Sequence, residues 1–467
     1  MNKIKRGMNV VGKTKKYLSL MVVIVFALTI MLAGCGGQKT SQSSEGAPAP
    51  QTETSQKKVE VVFWHNMKVV TDRQSIEEAV QMFNKEHPNI EVKAVLVPGD
   101  ETDATKLMTA VAAGEGPDVY YLDRFTVAQR AHAGMLEPLE DYLTQLGTNI
   151  DDLKSKFFDF AIEEATYKGK LYALPWDTDA RVLYYNKKLF KEAGLDPERP
   201  PQTISELDEY ANKLTKVQGG KILQIGFIPW RGQGWPYTWG WVFGGKFYDH
   251  ETKKFTFADD PKIVASLEWQ KTYADKYGIK NIDSFFAAFG DGGGAEPVDP
   301  FMMGKEAMRI DGNWFLSTLR KFADPKVCEW GIAPIPYPGG REKDSTWAGG
   351  WSLVIPKGAK HPKEAAEFIQ WMATKGAIKY AKDTAHFSAI KEGTLEVVKE
   401  DPDQKLFYEL LNGPNAHSRP VVPVGALVWD ELVRARDDAL YGKKVPQQAL
   451  KEAQEKVQKE LDKALSE

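Results

Sequence analysis

Val59-Glu60-Val61-Val62-Phe63-Trp64, with Ile76, Ala79, Val80 and Phe83 close behind it, is the stretch on which the fold turns. The first run is strand-length and apolar and reads as a buried strand, while the second set repeats at helical spacing and reads as one buried helix face. Outward from there the alternation continues. A strand over 90–97 follows the turn at His87-Pro88, and a helix over about 103–113 ends at Gly114-Glu115-Gly116-Pro117. Asp118-Val119-Tyr120-Tyr121-Leu122 is the next strand. Strand, helix, strand, helix, strand predicts an α/β layer with a mostly parallel sheet. Such sheets bind ligands beyond the carboxyl ends of their strands, which singles out His65, Asn66, Asp123 and Arg124.

A second α/β pattern begins later. Leu171-Tyr172-Ala173-Leu174-Pro175-Trp176 and Arg181-Val182-Leu183-Tyr184-Tyr185 read as extended, and Thr203 with Glu206 forms a capping box at the start of a helix whose stripe is Leu207, Tyr210, Ala211 and Leu214. A strand over about 222–228 leads into Trp230, Trp235, Trp239 and Trp241, which are interleaved with Gly232, Gln233, Gly234 and Pro236. Glycine and proline at this density place the four indoles on a loop, where large amphipathic rings suggest binding. Further helices are expected over about 260–276, 302–308, 314–322 and 362–374. A last one runs from 446 to the carboxyl end, with Leu450, Ala453, Val457 and Leu461 on one stripe.

The amino-terminal segment has a different character. Lys3, Lys5, Arg6, Lys13, Lys15 and Lys16 precede an apolar run over 18–32, and Leu32-Ala33-Gly34-Cys35 closes it. A basic region, a short apolar core and small residues before a cysteine are the parts of a bacterial lipoprotein signal. The run of roughly fifteen residues is short against the roughly twenty that span a bilayer. Residues 1–34 are therefore expected to be a signal peptide and Cys35 to carry lipid. Residues 36–58 are rich in Gly, Ser, Gln, Thr, Pro and Ala and read as a flexible tether. A lipid anchor on the outer face of the membrane suits a cell without an outer membrane, so a Gram-positive surface is expected.

About 410 residues remain after the tether, too many for one core and comfortable for two lobes. A formal net charge of −3 gives no footprint for nucleic acid. Cys328 is the second of two cysteines, so no disulfide framework is expected, and it reads as a buried core residue.

Patterns for chemistry are sparse. There is no phosphate-binding GxxxxGK[ST] loop, and the seven histidines show no metal-ligand spacing, so neither metal nor cofactor is expected. Gly350-Trp351-Ser352-Leu353-Val354 starts like a nucleophile elbow but has Val354 in place of its second glycine. Asp177 and Asp179 could serve a glycosidase, yet in a bent segment beside Trp176 they suit hydroxyl binding equally well. Asp291-Gly292-Gly293-Gly294 lacks the alternating oxygen ligands of a calcium loop and reads as a mobile loop.

Several segments in order resemble the sugar-binding extracellular solute-binding proteins of ABC importers, the class related to maltodextrin-binding proteins. They are Ala112-Ala113-Gly114-Glu115-Gly116-Pro117-Asp118-Val119, Ala133-Gly134-Met135-Leu136-Glu137-Pro138-Leu139, Tyr167-Lys168-Gly169-Lys170-Leu171-Tyr172-Ala173-Leu174-Pro175, Leu183-Tyr184-Tyr185-Asn186-Lys187-Lys188-Leu189-Phe190, Phe301-Met302-Met303-Gly304-Lys305-Glu306-Ala307-Met308 and Gly349-Gly350-Trp351-Ser352-Leu353-Val354-Ile355. The resemblance implies a two-lobed, type II periplasmic-binding-protein-like α/β fold, each lobe a mostly parallel sheet flanked by helices, with the ligand cleft between. It places 59–176 plus 347–400 in one lobe and 177–346 plus 401–467 in the other. A hinge of crossing segments would bring Trp176 and Asp177 to Trp347 and Trp351.

On that reading the protein is no enzyme but a monomeric receptor that closes on a carbohydrate, an oligosaccharide by preference, and delivers it to an ABC permease. Trp64, Trp176, Trp230, Trp235, Trp314 and Trp351 are the candidate platforms for sugar faces, with Trp239 in the same cluster as Trp230 and Trp235. Asp123, Asp177, Asp179, Arg231, Asn313 and Arg419 are candidate hydroxyl partners, and Gly349-Gly350 allows close backbone approach. The competing readings are a lipid-anchored glycoside hydrolase or lyase, a receptor for a polyamine, iron complex or phosphate ester, and an adhesin or sensor subunit.

Overall fold

The computed structural model describes residues 58–99, 102–289, 298–340 and 342–467. The leader, Cys35, nearly all of the tether and the 291–294 segment lie outside them.

Two principal sheets use β1 (Val59–His65), β2 (Ile90–Leu96), β3 (Val119–Asp123), β4 (Ala173–Pro175), β5 (Arg181–Asn186), β6 (Met308–Gly312), β7 (Trp330–Ala333) and β8 (Trp351–Val354). The helices that matter to the site are α1 (Val70–Glu86), α2 (Thr105–Ala112), α3 (Ile204–Leu214), α4 (Pro236–Val242), α5 (Pro261–Tyr277), α6 (Phe315–Phe322), α7 (Pro362–Trp371), α8 (Gly425–Leu440) and α9 (Pro446–Ser466).

The first sheet has the order β2-β1-β3-β8-β4. β1 is parallel to β2, from Val59 against Ile90 to His65 against Leu96, and parallel to β3. The helical crossovers α1 and α2 dictate this, because a helix between two strands returns the chain to the same end of the sheet. β8 arrives from far along the sequence and runs antiparallel to both β3 and β4.

The second sheet has the order β6-β5-β7, with β5 antiparallel to both neighbours. The parallel relation survives between the flanking strands β6 and β7, and in a parallel bridge of Ile225 to Glu306. β5 is the exception for a physical reason. It is entered directly from the first sheet through Trp176–Ala180, without a helical crossover to turn it round.

Three apolar clusters fill the molecule. One surrounds β1, β3 and β8 and reaches across to Tyr184, Phe301 and Phe315. A second lies between α3, β5 and α5. In the third, the stripe of α9 (Leu450, Ala453, Val457, Leu461) packs with Phe255, Phe257 and α8, as its spacing predicts. Cys328 is buried. Among the described residues no helix is long and apolar enough to cross a membrane.

Two expectations change. The segment 302–305 is a turn rather than a helix, and the chain is in β6 by Met308: the Asp299 carboxylate accepts from the Phe301 and Met302 amides at 2.9 and 3.1 Å, and Gly304 is left-handed at φ +63°. The tryptophan-rich segment is a loop only to Trp235, since Pro236 is the first residue of α4 and its fixed φ favours that position. Trp239 and Trp241 therefore sit on a buried helix.

Candidate functional site

The site is built around two stretches of backbone that pass side by side between the sheets. Trp176–Ala180 leads from β4 to β5, and Trp347–Gly350 leads into β8. The Trp176 amide donates to the Trp351 carbonyl at 2.9 Å, the Trp351 amide to Asp177 Oδ1 at 2.6 Å and the Gly349 amide to Asp179 Oδ1 at 2.6 Å. Gly350 is obligatory here. Its φ is +134°, and a Cβ would lie 2.3 Å from Arg124 Nη1 and 2.4 Å from the Asp177 carbonyl oxygen.

Arg124 clamps the pair. It donates to the Asp177 and Gly349 carbonyls, each at 2.5 Å, and pairs through Nε with Glu164 at 2.7 Å. All of its contacts are structural, and it is fully buried.

A cavity of about 300 Å³ opens on these strands. Asn66, Asp123 and Asp179 line it, together with Gly349, Gly350 and Arg419. Its aromatic wall is Trp235, Trp314, Trp347, Trp351 and Trp429. A second cavity, of about 520 Å³, shares Val69, Gln233, Trp235 and Trp314 with the first and adds Trp230 and Arg231. Of the strand-end residues, Asn66 and Asp123 line the first cavity, while Trp347, Gly349 and Gly350 come in from the crossing stretch.

The buried charged groups of the first cavity are paired with one another, while the exposed Lys68 has no ion-pair partner among the described residues. Arg181 donates to Asp179 and to the Trp347 carbonyl, and its guanidinium lies 3.4 Å from the centre of the Trp347 ring. Burial pushes Arg181 down to about 10, well short of discharging it at neutral pH. Arg419 donates to Asp123 at 2.9 Å and lies 4.0 Å over Phe125. Burial would lower Arg419, but Asp123 and Glu164 hold it above its usual value.

His386 stacks on Trp314 at 5.5 Å and meets Asp72 at 3.0 Å and Asp177 at 3.8 Å. Burial would depress it, yet Asp72 and then Asp177 and Asp179 raise it above the ordinary histidine range. Burial in turn pushes Asp177 up to about 6. In the second cavity burial lifts Asp311 to about 7 despite Arg309 at 3.6 Å.

Several predicted residues lie away from both cavities. Trp64 points to the opposite face of β1 from Phe63 and has Lys106 Nζ 4.9 Å from its ring centre. His65 is buried beside Phe63 and held neutral, lowered to about 4 by burial. Trp176 is fully buried edge-on to Tyr121 and Tyr380. Trp239 is fully buried and donates to the Pro229 carbonyl at 2.6 Å. Asp177 is enclosed by Trp351 and Tyr121. Asn313 is fully buried, accepting from the Ala180 amide at 3.4 Å and donating to the Ala385 carbonyl at 2.8 Å.

The structure adds residues that sequence reasoning passed over. Gln233 lines both cavities, and its place between two glycines was the available signal. Trp429 comes from helix α8, where spacing alone cannot separate a cavity wall from a core. Arg181, Asp72 and His386 carry no local pattern.

Residues 68–379 match the family described as bacterial extracellular solute-binding protein. The chain belongs to that family. This solute-binding protein is 27% identical over 418 residues to the maltotriose-binding protein of Pyrococcus abyssi, covering 86% of this chain and 82% of that one. It is 26% identical over 428 residues to the sn-glycerol-3-phosphate-binding periplasmic protein UgpB of Pectobacterium atrosepticum, covering 86% and 91%. Among solved structures, CpMnBP1 with mannobiose bound superimposes with a TM-score of 0.77 at 35% identity, covering 86% of this chain and all 100% of that one. The fold is thus the two-lobed, type II periplasmic-binding-protein-like α/β fold, and the protein is a binding component of ABC import rather than an enzyme.

Proposed function

We propose that this solute-binding protein captures a neutral oligosaccharide, of the manno- or malto- class, across the two adjoining cavities and hands it to an ABC permease. The observation that carries the reading is the wall of indoles set against paired charges. Trp230, Trp235, Trp314 and Trp351 offer partly exposed rings, and Trp351 is stacked on Tyr121 at 4.7 Å so that one face is left for ligand. Aliphatic sugar faces lie well on such rings, and Asp123, Asp179, Asn66 and Arg231 suit the hydroxyl rim. The buried cations of the first cavity, Arg181 and Arg419, are already matched by Asp179 and Asp123, which favours a neutral ligand there over a phosphate ester. Lys68 and Arg231 are the cations without an ion-pair partner among the described residues, and the phosphate-ester arm of the titration below tests them. Micromolar capture needs about −8 kcal/mol, within reach of two stacked sugars and several hydrogen bonds.

The lobes in this reading are 59–176 with 347–400, and 177–346 with 401–467, closing about the two crossing stretches. A ligand that touches both stabilises the closed form by its differential affinity for it. Cys35 carries the lipid that holds a monomeric receptor at the outer face of a Gram-positive membrane, which raises its concentration near the permease.

Tryptophan-emission titration tests the ligand. Mannobiose, mannotriose and maltotriose are the positive arms and sn-glycerol 3-phosphate the competing one, with chromatography of recovered ligand to check for turnover. Saturable binding of an unaltered oligosaccharide, weakened at least about tenfold by Trp351→Ala or Trp230→Ala, is expected. Response to the phosphate ester alone, or cleavage, overturns the reading. For the anchor, Cys35→Ser should move the protein from the membrane to the soluble fraction.

A further inference from the structure

Gln233 stands where the two cavities meet and lines both. The loop that carries it has almost no latitude. Gly232 is left-handed at φ +58°, where a Cβ would fall 2.4 Å from the Ile310 carbonyl oxygen, and a Cβ on Gly234 would fall 1.7 Å from that of Pro229. Between them the Gln233 amide donates to the Ile310 carbonyl at 2.7 Å, and its carbonyl accepts from Thr238 Oγ1 at 2.7 Å. The backbone of Gln233 is therefore pinned to β6 and α4.

The side-chain amide is oriented as well. Gln233 Oε1 accepts from Trp235 Nε1 at 3.2 Å and from Arg181 Nη2 at 3.4 Å. Indole and guanidinium nitrogens donate only, so the oxygen must face them and the amide cannot flip. That leaves Nε2, which has no hydrogen-bond partner among the described residues and is not sealed from solvent. The junction of the cavities is thus furnished with a fixed group that can only donate.

We infer that Gln233 Nε2 donates to the glycosidic oxygen joining a sugar in one cavity to a sugar in the next, which makes Gln233 the residue that distinguishes linked from free sugars. The inference rests on the oligosaccharide reading above. A linkage oxygen has no hydrogen and can only accept, so a donor held at the junction is its complement. Hydroxyl groups both donate and accept, and would be served equally well by a carboxylate.

The substitution Gln233→Glu keeps the oxygen held by Trp235 and Arg181, replaces the donor by a second acceptor oxygen and adds a negative charge beside Arg181, whereas Gln233→Met removes the donor without adding charge. Calorimetric titration of wild type and variant uses mannobiose, maltose, their sulfur-linked counterparts and free mannose and glucose. Thioether sulfur is a weak acceptor. Wild type should prefer the oxygen-linked disaccharide by about three- to tenfold. In the variant that preference should disappear, so that oxygen-linked and sulfur-linked disaccharides bind with affinities within about twofold of each other. The inference is overturned if the variant keeps the preference, as it would if oxygen-linked and sulfur-linked disaccharides weakened together through a purely structural role. Gln233→Met, uncharged and without the donor, must lose the same preference should Gln233→Glu unfold. If wild type binds neither these disaccharides nor mannotriose or maltotriose, the wild-type titrations alone refute the oligosaccharide reading, and this inference with it.

Discussion

Replacing Arg124 by methionine should cost stability before it costs affinity. The guanidinium and its partner Glu164 are 0% and 1% exposed, so their 2.7 Å contact is made without competing water. Methionine restores most of the volume but strands the Glu164 carboxylate, whose other cation, Arg419 Nε, is 3.9 Å away. Breaking one side of a buried pair typically costs about 3–5 kcal/mol. The Asp177 and Gly349 carbonyls lose charged donors at the same time. These losses share one side chain and are not additive, so the expected total stays near about 4–5 kcal/mol. Urea unfolding followed by intrinsic fluorescence measures it. Adding Glu164→Gln to the variant removes the stranded charge and should recover about 1–3 kcal/mol. A loss below about 1 kcal/mol, or native stability with ligand binding abolished, refutes the assignment of Arg124 as a clamp and returns it to direct ligand contact.

The remaining predictions concern other parts of the molecule. The raised pKa of His386 means that its contribution to stability is fully present below about 6.5 and is lost as pH rises through the raised value. Melting temperature should therefore fall across that range in wild type and less so in His386→Gln, and identical slopes would remove His386 as the cause. Cys328 is buried and its thiol is pushed up to about 12, so in a Cys35→Ser background a thiol reagent at pH 8 should label the protein only after denaturation. Gly234→Ala must displace the Pro229 carbonyl, and should lower affinity and stability together, by at least about 1–3 kcal/mol in stability. An unchanged melting curve would mean that the loop relaxes freely.

Much of the first sheet is legible in the sequence because residues 59–123 alternate between strand and helical spacing with clear turn signals between. The Thr203–Glu206 capping box is equally local, with reciprocal bonds at 3.2 and 3.3 Å. What escapes is whatever depends on contacts remote in sequence. Trp176 and Trp239 are as aromatic as Trp235 and Trp351, and only the packing of Tyr380 or Pro229 against them turns them from platforms into core. Arg124 is well placed at the end of β3 to meet a ligand, yet Gly349 and Glu164 reach it first. His386 and Arg181 become part of the site through partners on other elements, which no spacing records.

The position of β8 bears on how the chain acquires this structure. Residues 351–354 sit between β3 and β4, so the first sheet cannot close until about three-quarters of the polypeptide is present. Until then β3 offers an unpaired edge on that side, and pairings so distant in sequence form slowly. For a protein that works outside the cell, slow closure is an asset during synthesis. Of the five strands of the first sheet, the one that joins β3 to β4 is the last to be made.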